Sequence, residues 1–196
     1  MTARRWPLMI GLTLSLLAIY AGFRVGGDRV EDWHLAARWT ARVGFPVFLL
    51  AYLASSLAKL SPGPLTRALH CDRRWWGLGF AASHTVHLVA LVTYLRISGE
   101  PRTLVSFIPG GLAYVMILTM AATSNQASMR ALGHNWKLLH RIGIHYIWLI
   151  FTLAYAGRIA TPESRLTGII GVSLGLGALA LRLAARAKRG RRTQLA

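Results

Sequence analysis

The stretch WWGLGFAASHTVHLVALVTYL, residues 75–95, decides how the rest of the chain is read. It is 21 residues long and carries no Lys, Arg, Asp or Glu, so it has the length and polarity of a bilayer-crossing helix. Two histidines three residues apart, His84 and His87, interrupt it. Three residues turn a helix by about 300°, which leaves both imidazoles on one face. An imidazole in hydrocarbon needs a polar partner, so that face must meet something other than lipid.

Working outward, five further apolar runs have similar length: residues 6–23, 43–60, 104–122, 138–156 and 166–183. Short connections rich in Gly, Pro and charge separate them. The expected fold is an all-α integral membrane protein, a six-transmembrane-helix bundle forming one domain over residues 1–196, with a basic cytoplasmic tail at 184–196. The first span follows Arg4 and Arg5 as a signal peptide would, yet its small-residue site at Ala21 has Ile19 just upstream. An uncleaved helix is therefore expected. The fourth span opens near Pro109-Gly110-Gly111, which predicts a bent or late-starting helix.

A formal net charge of +17 would suggest a nucleic-acid partner in a soluble protein. Its distribution points to membrane topology instead. With the N-terminus in the cytoplasm, fifteen of the 23 basic residues face inward: Arg4, Arg5, Lys59, Arg67, Arg73, Arg74, Arg130, Lys137, Arg141, Arg182, Arg186, Lys188, Arg189, Arg191 and Arg192. Asp28, Glu31, Asp32, Glu100 and Glu163 fall on the other side, and of the acids only Asp72 stays inside. This positive-inside bias places both termini in the cytoplasm, with no nucleic-acid partner. The tail either anchors on anionic lipid or is simply solvated. A single cysteine, Cys71, excludes an intramolecular disulfide.

The third span carries His84 and His87; the fifth, LLHRIGIHYIWLIFTLAYAGR from Leu138, carries His140 and His145. His34, His70 and His134 fall in loops or at helix ends, where a solvated role is expected. Imidazoles facing each other from two helices can hold haem iron in a bundle core. They can also bridge helices by hydrogen bonds, or relay protons or ions, although no span offers an Asp or Glu to a proton path. At about 1.5 Å rise per residue, His84 and His87 lie roughly 15 and 20 Å along their helix from Arg74, and His140 and His145 about 5 and 12 Å from Lys137. In depth, His84 best matches His145, and His87 is next. A five-residue separation turns His140 and His145 about 140° apart, so one iron does not take both.

The segments RRWWGLGFAASHTVHL, from Arg73, and TSNQASMRALGHNWKLLHRIGIHY, from Thr123, resemble the ferric reductase-like transmembrane domain family. The likeness runs from about Thr40 through the fifth span. It is strongest at Arg73-Arg74 with Gly77, Leu78 and His87, and at Thr123-Ser124, Leu132-Gly133, Trp136 and Leu139-His140. The resemblance implies a six-helix bundle, b-type haem between the third and fifth spans, and electron transfer across a bacterial inner membrane by an oxidoreductase component. Two-haem members of that superfamily pair histidines 13 or 14 apart on each ligand helix. Here Leu153 follows His140 at that spacing and Arg73 precedes His87, so one haem is expected. The motif points to His87 and His140 as iron ligands, whereas depth points to His145 with His84 or His87.

No GxGxxG follows a strand pattern, and no strand pattern exists, so the chain holds no flavin or nicotinamide domain. The electron donor is then separate: quinol from the bilayer, or a cytoplasmic flavin reductase bringing FMN to the basic face of Lys59, Arg67, Arg73, Arg74, Arg130 and Lys137. The same haem would serve iron, quinone or a periplasmic oxidised-methionine reductase as acceptor, with no catalytic residue in this chain. Trp75, Trp76 and Trp136 read as interface anchors. A non-redox assembly module that has lost its haem, and a small transporter or proton conduit, are the alternative classes.

Overall fold

The computed structural model describes residues 5–99 and 104–194, with side chains placed for 5–99 and 107–188. Arg4 and Glu100, and the side chains of Arg189, Arg191 and Arg192, which entered the charge count, lie outside what is described. The elements are α1 (Trp6–Val25), α2 (Arg29–Leu60), α3 (Pro64–Cys71), α4 (Arg73–Ser98), α5 (Leu104–Ala122), α6 (Gln126–Leu132), α7 (His134–Gly157) and α8 (Arg165–Gln194), with two short 3₁₀ turns between α7 and α8. Among the described residues there is no strand. Five helices are long and apolar enough to cross a membrane, and a sixth span is reached if the bent α5–α6 pair counts as one.

The chain divides into two compact units: residues 1–51 with 68–103, and residues 52–67 with 104–196. In the first, small residues let backbones touch. Gly11 of α1 lies against the backbone of Gly79 of α4, and one turn on Ser15 and Ser83 share a buried hydrogen bond of 2.6 Å. A Gly-xxx-Ser stripe on each helix thus sets a close, parallel pairing. α2 runs antiparallel to both. Gly22 abuts Ala36, Phe23 meets Trp33 edge-on at 5.0 Å, and Phe48 packs on Phe80 at 5.2 Å.

α2 corrects the expected second span. It begins at Arg29 rather than Val43 and is 32 residues long. The Asp28 carboxylate caps it, accepting from the amides of Val30 and Glu31 at 2.8 and 2.9 Å, and Glu31 and Asp32 occupy the first turn. Arg38 and Arg42 mask this stretch in a hydropathy reading, but Ala36, Ala37 and Thr40 are buried at helical spacing. α4, expected over 75–95, extends to Arg73–Ser98.

In the second unit α7 and α8 form an antiparallel hairpin. Gly168 fits against Tyr155 and Ile159, Gly171 receives the Tyr155 ring, and Gly175 meets Thr152 while its carbonyl accepts from the Trp148 indole at 2.8 Å. α5 joins α7 where Gly143 makes room for Met120. The bend expected at Pro109 is elsewhere. Pro109 lies within α5 near its start, where its missing N–H costs one helical bond. The chain instead turns by 107° between Ala122 and Gln126. There Ser124 donates to the Met120 carbonyl at 2.6 Å and Asn125 caps α6 by accepting from the Ser128 amide at 2.8 Å. Gly133, at φ +49°, supplies the left-handed residue between α6 and α7. The tail expected from residue 184 continues α8 as helix through Gln194.

Candidate functional site

The first unit gathers two of the four histidines. His84 is buried, its ring 4.6 Å from that of Phe80 and seated over Gly44, where a Cβ would come within 2.5 Å of the imidazole. His87, one turn on, is 5.2 Å from His84 between ring centroids. Thr40 of α2 reaches His87 Nδ1 at 3.0 Å. The Thr40 hydroxyl proton is already engaged by the Ala36 carbonyl at 2.7 Å, with Ala37 at 3.1 Å. A hydroxyl has one proton, so toward the imidazole Thr40 accepts and Nδ1–H donates, which puts the His87 lone pair on Nε2.

The second unit holds the other two, and they face different neighbours, as a five-residue spacing requires. His145 donates from Nδ1 to the Arg141 carbonyl of its own helix at 2.7 Å, and its Nε2 lies 3.5 Å from Arg186 Nη2. The Tyr52 ring stands edge-on at 5.8 Å. Arg182 lies over the Tyr52 ring at 4.2 Å and donates to the Tyr52 carbonyl at 2.6 Å. His140 is held the opposite way. Thr123 gives its proton to the Thr119 carbonyl at 2.7 Å and accepts from His140 Nε2 at 3.2 Å. Trp136 stacks on His140 at 4.2 Å and donates its indole N–H to the Thr123 carbonyl at 2.8 Å. His140 therefore braces the turn after α5, with its lone pair on Nδ1.

The remaining histidines divide. His70 and His134 are exposed at the last turn of α3 and the first residue of α7. His34 is neither in a loop nor fully solvated: it lies inside α2, stacked on Tyr94 at 4.9 Å. Sequence reasoning missed the partners. Thr40 fell outside the expected second span, and nothing in the sequence marks Thr123 or Gly44 as an imidazole's neighbour.

The chain is similar to MsrQ. Proteins named protein-methionine-sulfoxide reductase heme-binding subunit MsrQ, from Yersinia pseudotuberculosis serotype O:1b, Yersinia pestis (strain Pestoides F) and Yersinia pestis bv. Antiqua (strain Angola), are each 28% identical to it over 167 residues. The alignments cover 75% of this chain and 77–78% of the relatives. No family model matches the chain, and no solved structure matches it. The likeness to MsrQ accords with the resemblance carried by the segments around His87 and His140.

Proposed function

We propose that the chain is a haem-binding subunit of a membrane electron-transfer system, with His87 and His145 as the two histidines whose own surroundings best suit an iron ligand. The observation that carries the assignment is the shared orientation of these two imidazoles. Each commits its Nδ1–H to an oxygen, Thr40 Oγ1 for His87 and the Arg141 carbonyl for His145, which leaves Nε2 as the nitrogen that a metal would take, in His145 in place of the 3.5 Å contact from Arg186. Metal-bound histidines are characteristically held this way, because the second hydrogen bond fixes the tautomer and the ring direction. His140 has the opposite tautomer, and His84 is enclosed by Gly44 and Phe80.

The donor set fits haem. Two imidazoles are what a b-type haem would take from the protein, the porphyrin supplying the remaining iron ligands. Haem iron supplies one-electron transfer at a potential set by its axial ligands and surroundings. This chain's contribution is to hold and orient the two imidazoles within apolar helices. Leu153 and Arg73 stand where a second pair would need histidine, which supports one b-type haem rather than two.

The name of the relatives supports a place as the haem-binding subunit of a protein-methionine-sulfoxide reductase, and in the proposed reading this chain passes electrons to a reductase in the periplasm. The electrons come from quinol in the bilayer or from a cytoplasmic flavin reductase with FMN at the basic end of the helices. The bias of basic residues supports a bacterial inner-membrane protein with both termini in the cytoplasm. The test is an absorption spectrum of the detergent-solubilised chain from haem-replete cells, with His84, His87, His140 and His145 replaced singly by Ala. A reducible b-type spectrum lost in His87→Ala and His145→Ala is expected; a spectrum indifferent to both would remove the assignment.

A further inference from the structure

We propose that Arg141 and Arg186, on either side of His145, form an oxyanion site that takes a carboxylate or a phosphate. The hairpin register creates it. Tyr155 sits at Gly171 and Thr152 at Gly175, and continuing that antiparallel pairing along α7 and α8 brings Arg182 level with His145 and Arg186 level with Arg141. The contact of Arg186 Nη2 with His145 Nε2 at 3.5 Å shows the pairing maintained at this level.

The cations here fall into two kinds. Arg182 is committed to the ring and carbonyl of Tyr52, and Lys188 donates to the Lys59 and Leu60 carbonyls at 3.2 and 3.3 Å, neutralising the C-terminal end of α2. Both have structural duties. Arg141 and Arg186 are exposed, and the Arg186 contact to imidazole is at the outer limit of a hydrogen bond. A guanidinium is best satisfied by two parallel bonds to a planar or tetrahedral oxyanion, which an imidazole nitrogen cannot supply. The only acid in this unit's sequence is Glu163, beyond the far end of α7. An oxyanion brought to this unit would draw Arg186 off His145 and bind between the two arginines.

Two sources carry this chemistry. One is a propionate of haem, which rests on the reading of His145 as an iron ligand and would free Nε2 as it binds. The other is the phosphate of an acidic phospholipid, which does not depend on that reading and is placed well for it, since Arg186 follows the apolar run of residues 166–183 in α8.

The experiment uses the full chain in detergent, with Arg141→Gln, Arg186→Gln and the double variant, and Arg130→Gln as an exposed basic control. Haem-depleted protein is titrated with protohaem and with its dimethyl ester, whose propionates are blocked. In parallel, retention of phosphatidylglycerol against phosphatidylcholine is measured by mass spectrometry. If the oxyanion is a propionate, wild type prefers protohaem over the ester by about tenfold or more, and the double variant loses that preference. If it is a lipid phosphate, wild type retains phosphatidylglycerol selectively and the double variant does not, whatever the haem result. A wild type that takes up no haem overturns the proposed function while leaving the lipid comparison to decide this site. Variants that match wild type in both measurements overturn the oxyanion site.

Discussion

Thr40 on α2 accepts a 3.0 Å hydrogen bond from Nδ1–H of His87 on α4, because its own hydroxyl donates to the Ala36 carbonyl. Thr40→Val keeps the shape of the side chain and removes the acceptor. Haem affinity is expected to fall by about 10–100-fold, the usual effect of losing such a partner. Thr40→Ser should restore most of it. Titration followed in the Soret band measures both, and a Val variant that binds as wild type would reduce Thr40 to a space-filling role.

Gly44 is where His84 needs room. A Cβ there would stand 2.5 Å from two ring atoms of His84, so Gly44→Ala must displace the imidazole or part α2 from α4. A loss of about 1–3 kcal/mol is expected, read as a lowered melting temperature in detergent. Gly77→Ala is the control, since nothing lies within 4 Å of its Cβ position and alanine favours helix. Equal melting of the two variants would contradict the packing described.

His140 and Trp136 brace the turn between α5 and α6 through Thr123. Trp136→Phe removes the indole hydrogen bond and is expected to cost about 0.5–1.5 kcal/mol, with the position of the haem bands unchanged. His140→Ala should likewise lower the melting temperature and retain the spectrum. Loss of colour in His140→Ala, with His145→Ala unaffected, would transfer the ligand role to His140.

Much of the fold was legible because lipid imposes a simple rule: apolar runs of crossing length must be helices. α1, α4, α7 and α8 correspond to expected spans within a few residues at most ends. The rule fails where a helix is only half apolar. Arg38 and Arg42 hid the first half of α2, although Asp28 before Glu31 and Asp32 is a helix-start signal that could have found it. The bend was assigned to Pro109, but there the helix continues past the proline at the loss of one hydrogen bond, and the break belongs to Thr123-Ser124-Asn125, whose side chains compete for backbone groups. The four imidazoles were visible as polar groups in apolar runs. Their tautomers were not, because these depend on Thr40 and Thr123, which only packing brings to them, and on a carbonyl of the same helix.

Fifteen of 23 basic residues lie in the segments assigned to the cytoplasm, and the proposed orientation rests on that asymmetry. A reporter fused after Ala196 is expected to be active only when it is a cytoplasmic reporter. Activity of a periplasm-dependent reporter at the same position would invert the topology, and with it the side from which a flavin reductase could approach.

The most direct measurement of the central claim is haem extracted per polypeptide from purified, fully loaded protein, compared among wild type, His87→Ala and His145→Ala. A ratio near one for wild type, falling toward zero in both variants, is expected of a single haem that needs both imidazoles. A colourless wild type from haem-replete cells would contradict haem binding altogether, and a ratio near two would show that Arg73 and Leu153 have substitutes elsewhere in the chain.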